Sequence, residues 1–123
     1  MQKAETGIRS AKVLLDLGDA DGACSRAYYA MYDAARATLD WAGIVPDRGG
    51  FKSHHGVLSA FGLHLVKPGL FPAEPGRAIQ RVQSMRQLAD YEATPIPHDK
   101  AQEAVLAAED FVSTASAVIA KPY

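Results

Sequence analysis

Apolar residues recur every three or four positions along most of this chain, the spacing that lines up one face of an α-helix. Over residues 3–17, Ile8, Ala11 and Leu15 form one stripe with Leu14 and Leu17 alongside, and Gly18 ends the segment; the pattern predicts a first amphipathic helix. Residues 20–43 predict a second, in which Ala23, Ala27, Ala30, Ala34, Ala37 and Trp41 alternate at spacings of four and three. Such small residues let helices approach closely. Tyr28, Tyr32, Ala35 and Leu39 cover the adjoining face, so most of the circumference is apolar and the helix is expected at the centre of the fold. What stays polar is one strip, Arg26, Tyr29, Asp33, Arg36 and Asp40. It reads equally as a solvated face, with Asp33 and Arg36 paired at a spacing of three, or as an edge that aligns phenol and guanidinium groups.

The run from Gly43 through Pro46 to Gly50 cannot continue a helix, so a loop of about ten residues is expected, with Ser53 capping a third helix that begins near His54. Val57, Leu58, Phe61 and Leu65 then make a stripe that stops at Lys67-Pro68-Gly69. Pro75 suits the opening of a fourth helix, which Ala78, Val82, Met85 and Ala89 carry through to Tyr91 before Thr94-Pro95-Ile96-Pro97 ends it. Asp99 with Gln102 three residues on resembles a capping box, and Ala101, Ala104, Ala108, Phe111, Ala115 and Val118 continue that last helix to about Ile119. No period-two strand and no internal repeat stands out. The expected fold is all-α, an antiparallel bundle of about five helices in a single domain spanning residues 1–123.

Composition narrows the function more than the fold. With 48% hydrophobic and 22% charged residues the chain can bury a core. Thirteen basic against fourteen acidic residues leave a formal charge of −1, which excludes a broad electrostatic grip on nucleic acid and confines any RNA contact to a local patch. The lone Cys24 cannot form an internal disulfide and sits among small helical residues, so an inert thiol in a reducing cytoplasm is expected. Acidic residues interrupt the apolar part of the N-terminal stretch, which argues against a signal peptide or a membrane span.

Spacing also removes several chemistries: the chain has no Walker-type phosphate loop, no His-Glu-x-x-His pair and no cysteine cluster. His54 and His55 are adjacent, about 100° apart on a helix, and make poor joint ligands. Neither a metal nor a cofactor is expected.

A resemblance emerges in the second helix. Ser25-Arg26-Ala27-Tyr28-Tyr29-Ala30-Met31-Tyr32 resembles the Ser-Arg-Ala-Tyr-Tyr-Ala signature of a bacterial branch of the HEPN (higher eukaryotes and prokaryotes nucleotide-binding) domains. Lys52-Ser53-His54-His55-Gly56-Val57 is similar to that branch's Lys-Thr-His-x-Gly element, and Arg86-Gln87-Leu88-Ala89-Asp90-Tyr91 to its Arg-x-x-Ala-Asp-Tyr element. The three follow in family order, and the likeness spans residues 4 to 119. It implies a helical bundle that often dimerises and is often paired with a small nucleotidyltransferase in toxin–antitoxin systems. Some members cleave RNA without a metal, through an Arg and, four to six residues on, a His.

In this chain Arg86 matches that arginine, but Tyr91 stands where the histidine would be, and His98 lies beyond two prolines. An unperturbed tyrosine, with a pKa near 10, is a poor general base at neutral pH, whereas histidine can both take and give a proton. Two functions of different class follow. In one, Arg86, Asp90 and Tyr91 meet Arg26 and Tyr29 in a polar cleft, duplicated across a dimer axis, that binds nucleotide or RNA, with Arg86 and Tyr91 as the catalytic pair if RNA is cleaved. In the other, the chain is a non-catalytic interaction module whose alanine-rich faces build a homodimer or a complex with a nucleotidyltransferase antitoxin, and Arg86 and Asp90 form an ordinary intrahelical ion pair.

Overall fold

A computed structural model describes residues 1–44 and 53–123. Five α-helices run in order: α1 (Gln2–Asp16), α2 (Ala20–Trp41), α3 (His54–Phe61), α4 (Ala73–Glu92) and α5 (His98–Ile119), and there is no strand among the described residues. This is the all-α bundle that the periodicity predicts. Most of the loop expected after Gly43, and Lys52 of the Lys-Ser-His element, lie outside the described residues.

The central place of α2 follows from its sequence. Asp19 caps it by accepting a hydrogen bond from the Gly22 N–H at 2.9 Å, and the helix packs against α1, α3, α4 and α5. Ala23, Ala27, Ala30 and Ala34 are all 1% exposed or less. The approach of α1 is so close that a Cβ on Gly7 would stand 3.1 Å from Ala30 Cβ. These alanines of the stripe, which the interaction-module reading offered to a partner chain, are therefore packed inside this one. Ala101, Ala104, Ala108 and Ala115 of α5 are likewise buried. Each methyl is small enough to let a neighbouring helix close over it.

A second part of the core is aromatic. Phe61, Phe71 and Phe111 have ring centroids 4.8 to 5.5 Å apart, joining α3, the connection to α4 and α5 in edge-to-face and tilted contacts. Here α3 departs from the simple helix its sequence predicts: after Phe61 it widens into a π-helical turn over Gly62–Val66 before Lys67 and Pro68 end it. The turn keeps Leu65 fully buried.

The last helix also starts differently. The expected cap was Asp99, yet α5 opens at His98 with Pro97 as the capping residue and no side-chain cap. The pyrrolidine ring already fixes φ at −58°, close to the helical value, and Pro97 has no N–H to leave unpaired. Just before it, the Ile96 N–H donates to Asp21 Oδ1 at 2.8 Å, tying the connection to the first turn of α2. Asp99 falls instead within the first turn, where its charge favours the helix dipole.

Candidate functional site

Three elements converge beside the middle of α2. The helix presents Tyr28, Tyr29 and Tyr32; the first residue of α3 is His54; and the inner face of α4 brings Arg86. Tyr28 is fully buried, and its hydroxyl shares a 3.2 Å hydrogen bond with His54 Nδ1. The imidazole lies 5.6, 5.5 and 4.4 Å from the rings of Tyr28, Tyr29 and Tyr32, centroid to centroid. The site thus contains an aromatic cage around one histidine.

Arg86 closes the cage from the other side. Its guanidinium carbon stands 5.0 Å from the Tyr28 ring centroid and 5.4 Å from that of Tyr29, contacts worth about 0.5–2 kcal/mol for a partly desolvated cation. Nε and Nη2 donate to Gln83 Oε1 at 3.3 and 3.1 Å. The expected partner Asp90 is there as well, but at 3.8 Å and with its own side chain 75% exposed, against 18% for Arg86. An ion pair so open to water contributes little. The two rings and Gln83 hold the guanidinium, with Asp90 at its solvent side.

Burial, opposed by the Arg86 charge, pushes the Tyr28 phenol up to about 12, so at neutral pH it remains a hydroxyl able to hydrogen bond His54. The buried Cys24 thiol, whose Sγ lies 3.8 Å from Met85 Sδ, is pushed up to about 11, chiefly by burial. It carries almost no thiolate at neutral pH and is unreactive.

Arg86 and His54 both line a groove of about 400 Å³, with Ser53, His55, Gln83 and Gln87 on its walls. Ser53 caps α3 by accepting from the Gly56 N–H at 3.1 Å. With the Gly56 N–H taken by that cap, the N–H groups of His54 and His55 have no acceptor within the helix, and they carry the positive end of its dipole. A half-buried guanidinium, a helix N-terminus, an imidazole and two amides make a setting suited to a phosphate oxygen.

The other residues singled out by sequence are placed as follows. Tyr29, 39% exposed, touches Arg86 and also lines a second hollow of about 420 Å³ between α1 and α2, shared with Lys3, Thr6 and Arg26. Arg26 is exposed and belongs to that hollow, not to the Arg86 groove. Asp33 sits 3.8 Å from Lys3 of α1, an interhelical partner in place of the Arg36 that its spacing suggested. Tyr91 is 90% exposed; five residues past Arg86, it points about 140° away around α4. Arg86, Tyr29 and Asp90 thus come together, Arg26 meets Tyr29 on another side, and Tyr91 faces solvent.

Sequence reasoning weighed His54 as a metal ligand and did not place it in the Arg86 cleft. The available signal was the Ser53 cap, which sets His54 in the first turn of α3, together with the Lys-Ser-His element itself. That this turn abuts Tyr28 and Arg86 depends on tertiary packing, which no local spacing reveals.

The architecture and these elements agree with the comparisons to known proteins. The HEPN domain family model matches residues 1–118. The UPF0332 protein glr0978 of Gloeobacter violaceus is 37% identical over 91 residues, covering 74% of this chain and 68% of that protein. A protein of Methanocaldococcus jannaschii named as a candidate toxin, MJ0605, is 33% identical over 109 residues, 89% of this chain and 78% of its own length. A second candidate toxin of that organism, MJ0142, is 33% identical over 94 residues, 76% of this chain and 60% of its own length. With its helical bundle, its ordered motifs and a family match over nearly its whole length, this chain belongs to the HEPN domain family.

Proposed function

We propose that this protein is a toxin-type HEPN module that binds RNA, or a nucleotide, through the groove around Arg86. The observation that carries the reading is Arg86 itself: a guanidinium whose side chain is only 18% exposed, stacked on two tyrosine rings and facing the N-terminal turn of α3 across one groove. Desolvating a cation whose carboxylate partner, Asp90 at 3.8 Å, is itself open to water is costly; an incoming phosphate would offset that cost, with two parallel hydrogen bonds to a planar fork. Tyr29, partly exposed beside it, offers a ring face on which a base can stack, at about 1–3 kcal/mol per base. The relatives named as candidate toxins support the general class.

The test is a fluorescence-anisotropy titration of a short single-stranded RNA at fixed salt. Arg86→Ala, shown to be folded by circular dichroism, is expected to bind at least tenfold more weakly than the wild type, whereas equal affinity would rule out the groove as the site.

A second reading, a non-catalytic module that homodimerises or pairs with a nucleotidyltransferase antitoxin, draws on Leu88 and Tyr91, 56% and 90% exposed on the outer side of α4. Since the alanine stripes are buried, a protein partner would have to use such outward residues. In that case Leu88→Glu turns a dimer at micromolar concentration, seen by light scattering, into a monomer, and Arg86→Ala leaves it intact.

A further inference from the structure

Resting on the reading of the Arg86 groove as an RNA site, we propose that His54 is the proton acceptor of a metal-independent RNA cleavage at that groove, in the role that the outward-facing Tyr91 does not fill. Tyr91 is 90% exposed and turned away from Arg86. His54 shares the groove with Arg86, and both lie against the same two rings: 5.6 and 5.5 Å from the Tyr28 and Tyr29 centroids for the imidazole, 5.0 and 5.4 Å for the guanidinium. A cation that steadies a phosphate and an imidazole close to it are the two groups that attack by a ribose 2′-hydroxyl requires.

The proposal requires one of the two tautomers that the Tyr28 bond allows. When Nδ1 carries the proton and donates it to the Tyr28 oxygen, 3.2 Å away, the lone pair on Nε2 is free to act as a base. Because the buried phenol is pushed up to about 12, Tyr28 remains a neutral hydroxyl at every pH where histidine titrates. In the step itself Nε2 takes the proton of the 2′-hydroxyl and the 2′-oxygen bonds to the adjacent phosphorus. The bond from phosphorus to the 5′-oxygen breaks, and that oxygen takes a proton from water. The products are a 2′,3′-cyclic phosphate and a 5′-hydroxyl; His54 then returns its proton to solvent. Arg86 balances the charge gathering on the phosphoryl oxygens. The groups facing the imidazole are Tyr28, Tyr29 and Tyr32 of α2, Arg86 and Gln83 of α4 across the groove, and Ser53 and His55 of its own helix. Asp90, whose carboxylate lies 3.8 Å from Arg86, is the acidic neighbour that α4 adds.

The experiment measures cleavage of a short RNA in excess EDTA, alongside binding of the same sequence with 2′-O-methyl groups, which cannot be cleaved. For His54→Asn the expected result is a fall in cleavage on the order of 10²–10⁴-fold, far larger than its loss of affinity for the methylated RNA, and loss of the acid limb of the pH–rate profile. In His54→Ala, added imidazole restores part of the rate. A His54→Asn protein that cleaves at the wild-type rate overturns the proposal, as does a His54→Ala protein that binds but is not rescued by imidazole. A wild type that binds the methylated RNA in an Arg86-dependent manner but cleaves nothing removes the role of His54 and leaves the binding function intact. Failure of the wild type to bind the methylated RNA removes the binding function as well.

Discussion

Arg86 is an ordinary surface residue type that its neighbours make unusual. Stacking over Tyr28 and Tyr29 and bonding to Gln83 fix the plane of its guanidinium before any ligand arrives, so little side-chain entropy remains to be lost on binding. Arg86→Lys keeps the charge but loses both the plane and the fork. RNA affinity is expected to drop about tenfold, or about 1.4 kcal/mol, in the anisotropy titration. Tyr28 and Cys24 make a separate prediction about stability. Their acidities move from 10.0 and 9.0 to about 12 and about 11, burial being the largest cause for each. From about pH 9 upward the unfolded chain releases protons that the folded chain keeps; the unfolded state then binds fewer protons, so stability falls as pH rises toward about 12 and is unaffected by these groups below about pH 9. Urea midpoints at pH 8 and 10.5 check this: the midpoint is lower at the higher pH, and Tyr28→Phe narrows the gap.

Among the helices, the N-terminal turn of α3 has the most direct bearing on function, since its position sets that of His54. Ser53→Ala removes the bond to the Gly56 N–H and is expected to cost about 1 kcal/mol of stability, read as a lower thermal midpoint, with faster amide exchange confined to the start of α3. At the other end of the bundle, Asp21→Ala frees the Ile96 N–H and is expected to cost about 1–3 kcal/mol, since a charged acceptor is lost from a partly buried donor. Although α4 opens at Ala73, two residues ahead of the expected Pro75, the extents of α1 and α2 were legible because stripe and breaker agree there, with Gly18 between them. Two features were not. The π-turn after Phe61 answers to the packing of Leu65 beneath it, and Pro97 starts α5 ahead of Asp99 because the backbone before it is tied to Asp21, 75 residues away in the chain. Both are set by long-range contacts, and local pattern carries no record of them.

The whole molecule has almost no net charge, so affinity for RNA has to come from one groove. With a formal charge of −1 and Arg86 as the stacked cation of the site, log K should fall with log salt at a slope near −1, about −0.7 per neutralised phosphate on a single strand. A slope steeper than about −3 would mean a much wider contact. The family was readable in three short motifs, and the centrality of α2 in its alanine spacing. The arrangement of the site was less so: Arg86 and Tyr29 are in contact but line different hollows, whereas Arg26 and Tyr91 face other directions and His54 enters from a helix whose relation to Arg86 only folding creates. The most direct test of the account is therefore the location of the ligand. In an amide-correlation NMR titration with an uncleavable 2′-O-methyl RNA trinucleotide, the predicted shifts cluster at Tyr29, at Ser53 to His55 and at Gln83 to Gln87. Shifts confined to the outer face of α4 around Leu88 and Tyr91, or to the hollow between α1 and α2, would contradict it.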